Sequence, residues 1–280
     1  MNYRHAFHAG NFADLVKHAA LLALLARMTA GAPGKEGAPL SVIDTHAGRG
    51  LYDLAGPEAR KSGEAEAGIV QLMAALDAPA EFRPLTKAVG GLNSGIEVRR
   101  YPGSPWLIAE ALRPGDSYLA CELRPDEHAA LRDLLKGRRN AETLCADGYE
   151  TAISRAAREP SGAGRTLVLI DPPFEQPDDY RRIVETIRKL RGPAASFLVW
   201  LPLKDLETFD GFLRDLEDGV EAPALVLEAR MRPLNDPMKM NGCALVLVPG
   251  PLDLEPAFQA IGDWTTKTLG QGGLAKVYRL

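Results

Sequence analysis

Four short apolar runs in the chain each lead to a carboxylate: "LSVID" to Asp44, "SYLACE" to Glu122, "ETLCAD" to Asp147 and "TLVLID" to Asp171. Runs so short, continuous and rich in Val, Leu and Ile read as strands buried on both faces, as in a parallel sheet covered by helices. Helical patterns follow them. A helix opens at Pro125, "YETAISRAAR" follows the third run and "DDYRRIVETIRKLRG" the fourth; then come a strand "SFLVWL" and a helix in "KDLETFDGFLRDLED". Two late strands, "ALVLEARM" and "CALVLVP", complete a β-α-β-α rhythm. The expected fold is α/β, a mostly parallel, doubly wound sheet.

One stretch breaks the rhythm. Between "DTHAGRGLYDL" and "SYLACEL" lie about sixty residues, several times the dozen a crossover needs. They hold helical patterning in "EAGIVQLMAALDA" and "PLTKAVGGLNSG", a short strand in "IEVRRY", and "PGSPWLIAEAL", with Ser104 as N-cap and Pro105 as first residue of a returning helix. The organisation expected is one domain over residues 1–280 with a helical insertion at 53–101. The Gly/Pro-rich "TAGAPGKEGAPL" reads as a loop rather than a linker.

At 280 residues and 46% hydrophobic, the chain can bury a core without staples. Cys121, Cys145 and Cys243 form no C-x-x-C pair and propose neither disulfides nor zinc. The most membrane-like segment, "HAALLALLAR", is far shorter than the roughly 20 residues a spanning helix needs. A cytoplasmic protein is expected. The net charge of −4 argues against a broad nucleic-acid footprint, although local basic pairs occur at Arg60/Lys61, Arg99/Arg100, Arg138/Arg139 and Arg181/Arg182. Those in or beside the insertion are the better candidates to hold phosphates.

In an open α/β sheet, ligands bind beyond the carboxyl ends of the strands, where the four carboxylates fall. Any single one is explained as readily by helix capping. "DTHAGRG" places glycines where the chain must turn sharply and let a ligand approach, and it is neither a P-loop nor a G-x-G-x-x-G. Its spacing is that of the first loop of S-adenosylmethionine-dependent methyltransferases. Glu122 then stands where a carboxylate accepts from ribose hydroxyls, and Asp147 with the Gly148 amide suits an adenine edge, a plain strand-to-helix turn being the competing reading. In "DPPF", two prolines remove two backbone donors and leave an acceptor-only rim beside the face of Phe174. Such a rim fits a planar base with an exocyclic amine: the acceptors hold its N–H groups while the ring stacks. Asp171 is assigned to orienting the amine and stabilising the charge that develops on it.

The chain resembles the bacterial large-subunit ribosomal RNA adenine-N(6) methyltransferases of the RlmJ type. The resemblance spans nearly its whole length and rests on "YRHAFHAGNFADLVKH", "DTHAGRG", "YPGSP", "CEL", "ADG" and "DPPF". It implies a Rossmann-like methyltransferase fold with a small helical insertion, S-adenosylmethionine as methyl donor, 23S ribosomal RNA as partner, and methylation of one adenine. It also implies that His18, His46, Ser104, Glu122, Asp147, Gly148 and Asp171 surround the cofactor, that Asp171 is catalytic, and that Tyr3 sits near the base. Lys17 is a further cofactor contact. The first of these motifs, read physically, closes over the site and touches RNA and cofactor, or packs on the sheet as a plain helix. No metal is expected, because the histidines lack metal-ligand spacing with nearby acids, and the chain is expected to be a monomer. The rival readings are a DNA adenine or guanine amino-methyltransferase and a non-catalytic RNA-binding assembly factor.

Overall fold

The computed structural model describes residues 4–30, 37–95, 97–156, 165–192, 194–234, 240–249 and 251–280. Tyr3 and most of the loop after Thr29 lie outside them. A single turn at His5–Phe7 leads to α1 (Phe12–Thr29), capped by Asn11, whose side chain accepts from the Asp14 N–H at 3.0 Å. β1 (Leu40–Asp44) and a short β2 (Leu51–Asp53) follow. Next come α2 (Pro57–Ser62), α3 (Glu64–Ala67), α4 (Ile69–Ala74) and α5 (Arg83–Leu92), and β3 (Arg100–Pro102) returns antiparallel to β2. The chain continues through α6 (Ser104–Ala111), β4 (Ser117–Cys121), α7 (Pro125–Leu135), β5 (Ala141–Leu144), α8 (Gly148–Ala156) and β6 (Arg165–Ile170). It ends with α9 (Asp179–Leu190), β7 (Ala195–Leu203), α10 (Leu206–Gly219), β8 (Leu225–Arg230), β9 (Gly242–Val248), α11 (Glu255–Thr268) and β10 (Leu274–Arg279).

Eight strands form one sheet in the order β10-β8-β9-β7-β6-β1-β4-β5. β5, β4, β1, β6 and β7 pair in parallel; β9 runs against β7 and β8, and β10 against β8, so six of the eight point the same way. Alternating residues divide the core. Leu167 and Leu169 face a layer built on α1, α6, α7 and α11, whereas Val168 and Ile170 face α8, α9 and α10. This is a doubly wound, Rossmann-like sheet with both faces covered. From β1 the chain moves outward to β4 and β5, then returns to β6 on the other side of β1. The cleft of such a sheet opens at that reversal, beyond the carboxyl ends of β1 and β6.

Two expectations need adjustment, and two elements had no expectation at all. Ser104 is the first residue of α6 rather than its cap, which is Gly103; its hydroxyl turns inward to a carboxylate instead. The helix expected in "EAGIVQLMAALDA" is split at Gly68, where a Cβ would stand 2.2 Å from the Gly10 carbonyl oxygen, so the chain bends where it crosses the N-terminal segment. Finally, α11 and β10 lie in a stretch with little local signal. Gly262 weakens α11 as an isolated helix, yet its missing side chain lets α11 approach β8, since a Cβ there would stand 2.7 Å from Leu227 Cδ1.

Candidate active site

The end of β1 carries the buried carboxylate Asp44, fully withdrawn from solvent. Its Oδ2 accepts from Ser104 Oγ at 2.8 Å and from the Tyr118 hydroxyl at 3.2 Å, so α6 and β4 both tie to β1 through one oxygen. Burial pushes its pKa up to about 6, against the Ser104 hydrogen bond, with Asp171 adding to the rise. The loop after Asp44 is a set of backbone ties. Thr45 N–H donates to the Leu169 carbonyl at 3.0 Å, Ala47 N–H to Cys121 at 2.9 Å, and Gly48 N–H to Glu122 Oε2 at 2.9 Å. Gly48 and Gly50 have φ of 64° and 79°, values that favour glycine. Glu122 also accepts from the Arg124 N–H at 2.8 Å. Burial raises its pKa in spite of these two bonds.

On the neighbouring rim, Asp147 caps α8 by accepting from the Glu150 N–H at 3.1 Å and binds Arg182 at 2.7 Å. The Arg182 guanidinium lies 4.4 Å over the Tyr149 ring, whose edge relation to His46 is 4.8 Å between centroids. His46 is bonded to Thr45 Oγ1 at 2.8 Å, and burial pushes its pKa down to about 4, leaving it neutral at pH 7. Gly148 is required by packing: a Cβ would stand 1.9 Å from the Thr45 carbonyl oxygen.

Asp171 lies just past β6 and is partly open. Its Oδ2 accepts from Lys17 Nζ at 2.5 Å, which brings the first helix to the strand end across 154 residues of sequence. Phe174 is the one non-glycine residue with positive φ, 51°, among the described residues. Its half-buried ring packs at 4.9 Å from Tyr180 and 5.9 Å from Trp200.

The structure thus brings His46, Ser104, Glu122, Asp147, Gly148, Asp171 and Lys17 to one end of the sheet. His18 stands behind them, 1% exposed, bonded through Nδ1 to the Tyr101 hydroxyl at 2.7 Å, its pKa pushed down to about 3 by burial. Tyr3 cannot be placed. Asp14 went unread in the sequence although an acid three residues before Lys17 shares its helix face. It is 2% exposed, and Lys17 Nζ stands 3.1 Å from its Oδ1. Of the basic pairs, Arg60, Lys61 and Arg100 are exposed, as is Arg99, which stands 3.4 Å from Glu97; Arg139 and Arg181 are exposed too, Arg181 paired with Asp178 and Glu185, while Arg182 binds Asp147 and Arg138 binds Glu110. Among the described residues no three His, Cys, Asp or Glu side chains gather as metal ligands, and no helix is long and apolar enough to cross a membrane.

Comparison with known proteins gives this arrangement its family. Residues 37–279 match the family model described as "Ribosomal RNA large subunit methyltransferase D, RlmJ". The chain is 33% identical over 272 residues to the Haemophilus influenzae ribosomal RNA large subunit methyltransferase J, covering 96% of this chain and 94% of that one. The Escherichia coli protein of the same name is 30% identical over 275 residues, with 98% and 95% covered. A solved Legionella pneumophila structure superposes with a TM-score of 0.84 at 26% identity, covering 98% of each chain. The chain belongs to the ribosomal RNA large subunit methyltransferase D, RlmJ, family.

Proposed function

We propose that the protein transfers a methyl group from S-adenosylmethionine to the exocyclic amine of one adenine in 23S ribosomal RNA. The observation that carries this reading is the Asp171 carboxylate, presented by β6 at the switch point and held 2.5 Å from Lys17, in a chain of this family. The donor fits the residues present. It carries a sulfonium cation, an ammonium and ribose hydroxyls, and the strand ends offer Glu122, Asp147 and Asp171 as acceptors, each carboxylate with about four lone-pair sites. Neutral His46 adds no repelling charge.

Bound there, the donor supplies a methyl group already activated by its sulfonium. Glu122, its oxygens aimed by the Gly48 and Arg124 amides, accepts from the ribose hydroxyls. Asp147 and the Gly148 amide read the adenine edge of the donor, while His46 and Ser104 close its pocket. Asp171 accepts a hydrogen bond from the target amine, turns the nitrogen lone pair toward the methyl group, stabilises the positive charge that grows on nitrogen as the N–C bond forms and the S–C bond of the donor breaks, and takes the proton the amine releases. The rim left without donors by Pro172 and Pro173 accepts a hydrogen bond from the second amine N–H, and Phe174 offers a ring face to the base. Exposed Arg60, Lys61, Arg99 and Arg100 hold phosphates of the RNA.

Labelled methyl transfer to 23S ribosomal RNA, intact subunits and duplex DNA tests the assignment, with nucleotide mapping of the product. Label in N6-methyladenine of 23S RNA is expected; label in DNA alone would sink it. Asp171→Ala is expected to abolish transfer while leaving cofactor binding measurable by calorimetry. Full turnover by that variant removes Asp171 from the chemistry.

A further inference from the structure

Lys17 stands between two carboxylates, and only one of them faces the cleft. Asp14 lies in the first turn of α1, where the helix dipole favours an anion. Its Oδ2 accepts from the Gly10 N–H at 2.9 Å and from His5 Nε2 at 3.0 Å. Its Oδ1 is 3.1 Å from Lys17 Nζ and 3.9 Å from His18 Nε2. Burial alone would raise its pKa, but His5 and Lys17 together outweigh that and hold it well below the usual carboxylate range. An ionised group this buried destabilises a fold unless it is matched, and its cation is the one bonded to Asp171.

We propose that Asp14 is a positioning residue that acts through Lys17: by sharing the ammonium, it keeps Asp171 negatively charged toward the target amine rather than neutralised by its own salt bridge. The trio sets two carboxylates, Asp14 and Asp171, against the single ammonium of Lys17. Without Asp14 the remaining pair is neutral, and the field that stabilises a developing cation on the amine is lost. Asp14 also prevents the Lys17 chain from swinging wholly onto Asp171. Misplacement of a group in such a site costs up to about a hundredfold in rate. The competing account gives Asp14 a purely structural role, as an anchor for the N-terminal turn through Gly10 and His5.

This inference rests on the reading of Asp171 given above, so Asp171→Ala is measured alongside. Four proteins then decide it: wild type, Asp14→Asn, Lys17→Met and the double variant, assayed for single-turnover methyl transfer to 23S RNA, cofactor affinity and thermal midpoint. Asp14→Asn is expected to lower the rate by about tenfold to a hundredfold with cofactor affinity unchanged. In the Lys17→Met background the same substitution is expected to cost less than about twofold, because residues that act as one unit are non-additive. A structural anchor would multiply the two losses, and that result overturns the proposal. So does a fully active Asp14→Asn beside an inactive Asp171→Ala, whereas an active Asp171→Ala removes the underlying reading. Should Asp14→Asn fail to fold with Lys17 left unmatched, the double variant removes both buried charges, and its comparison with Lys17→Met still decides.

Discussion

Asp44 lies at the end of its strand with no water around it, and its charge has a calculable effect on the protein that carries it. Its folded pKa, pushed to about 6, stands above the 3.8 of an unperturbed carboxyl. The proton-bound form therefore contributes stability that is present in full below about pH 4 and lost as pH rises through 6. The swing approaches about 3 kcal/mol between those limits. Asp44→Asn, which has no proton to lose, should gain on wild type by that amount between pH 4 and pH 7 in urea unfolding of the ligand-free protein. A difference constant with pH would contradict the assignment. Asp44, Glu122, Asp147 and Asp171 were all legible in the sequence, because a carboxylate closing an apolar run marks a strand end. Asp14 was not, since its meaning lies in a partner 154 residues from Lys17. Phe174 was half legible: the prolines announce a rigid rim, but nothing local predicts that its ring leans on Tyr180 and Trp200.

Among the elements, the helices between β2 and β3 have a task that their composition does not announce. Glu64, at the start of α3, accepts from His8 Nδ1 at 2.9 Å and Asn11 Nδ2 at 2.8 Å, while the Ile69 N–H of α4 donates to the Gly10 carbonyl at 2.8 Å. The segment that seats Asp14 and Lys17 is thus clasped from outside by Glu64 and Ile69 of the insertion. The Glu64 hydrogen bond raises the His8 pKa against the pull of burial, so that share of stability is complete below about pH 6.5 and is lost as pH rises past the folded value. Burial would raise the Glu64 pKa, but His8 and Asn11 lower it, so its share is present above about pH 4.5 and fades as pH falls further. Glu64→Gln should therefore lower the thermal midpoint most between those values and less at either extreme of pH. Both side chains are about a third exposed, and screening limits the effect to about 1 kcal/mol or less. A loss that grows toward alkaline pH would refute the clasp. Helical structure in "EAGIVQLMAALDA" and "PLTKAVGGLNSG" was readable from periodicity; α2 was not, nor was the break at Gly68, because its cause is the Gly10 backbone lying across the segment.

At the scale of the molecule, sequence periodicity disclosed the alternation of strands and helices but not the order of the far edge. β9 inserts between β7 and β8, which are consecutive in the chain, and no local pattern records that choice. The same edge supplies the cover for α1: Cys243, Leu245, Phe258, Ile261 and Trp264 share its core layer, and Trp264 also donates to Asp77 at 3.3 Å beside Phe82. A chain ending at residue 254 should accordingly lose cooperative unfolding and the Lys17–Asp171 contact together, although it contains every residue assigned to the site. Native-like melting and cofactor binding by that truncated protein would show the edge to be dispensable. The position of α1 also has a consequence for biogenesis. Its apolar stretch from Ala19 to Leu25 leaves the ribosome long before α11, which is part of its cover, so a nascent chain carries an unmatched greasy helix until α11 emerges. Arrested chains that stop before α11 emerges should expose that helix to protease or chaperone, and full-length released chains should not.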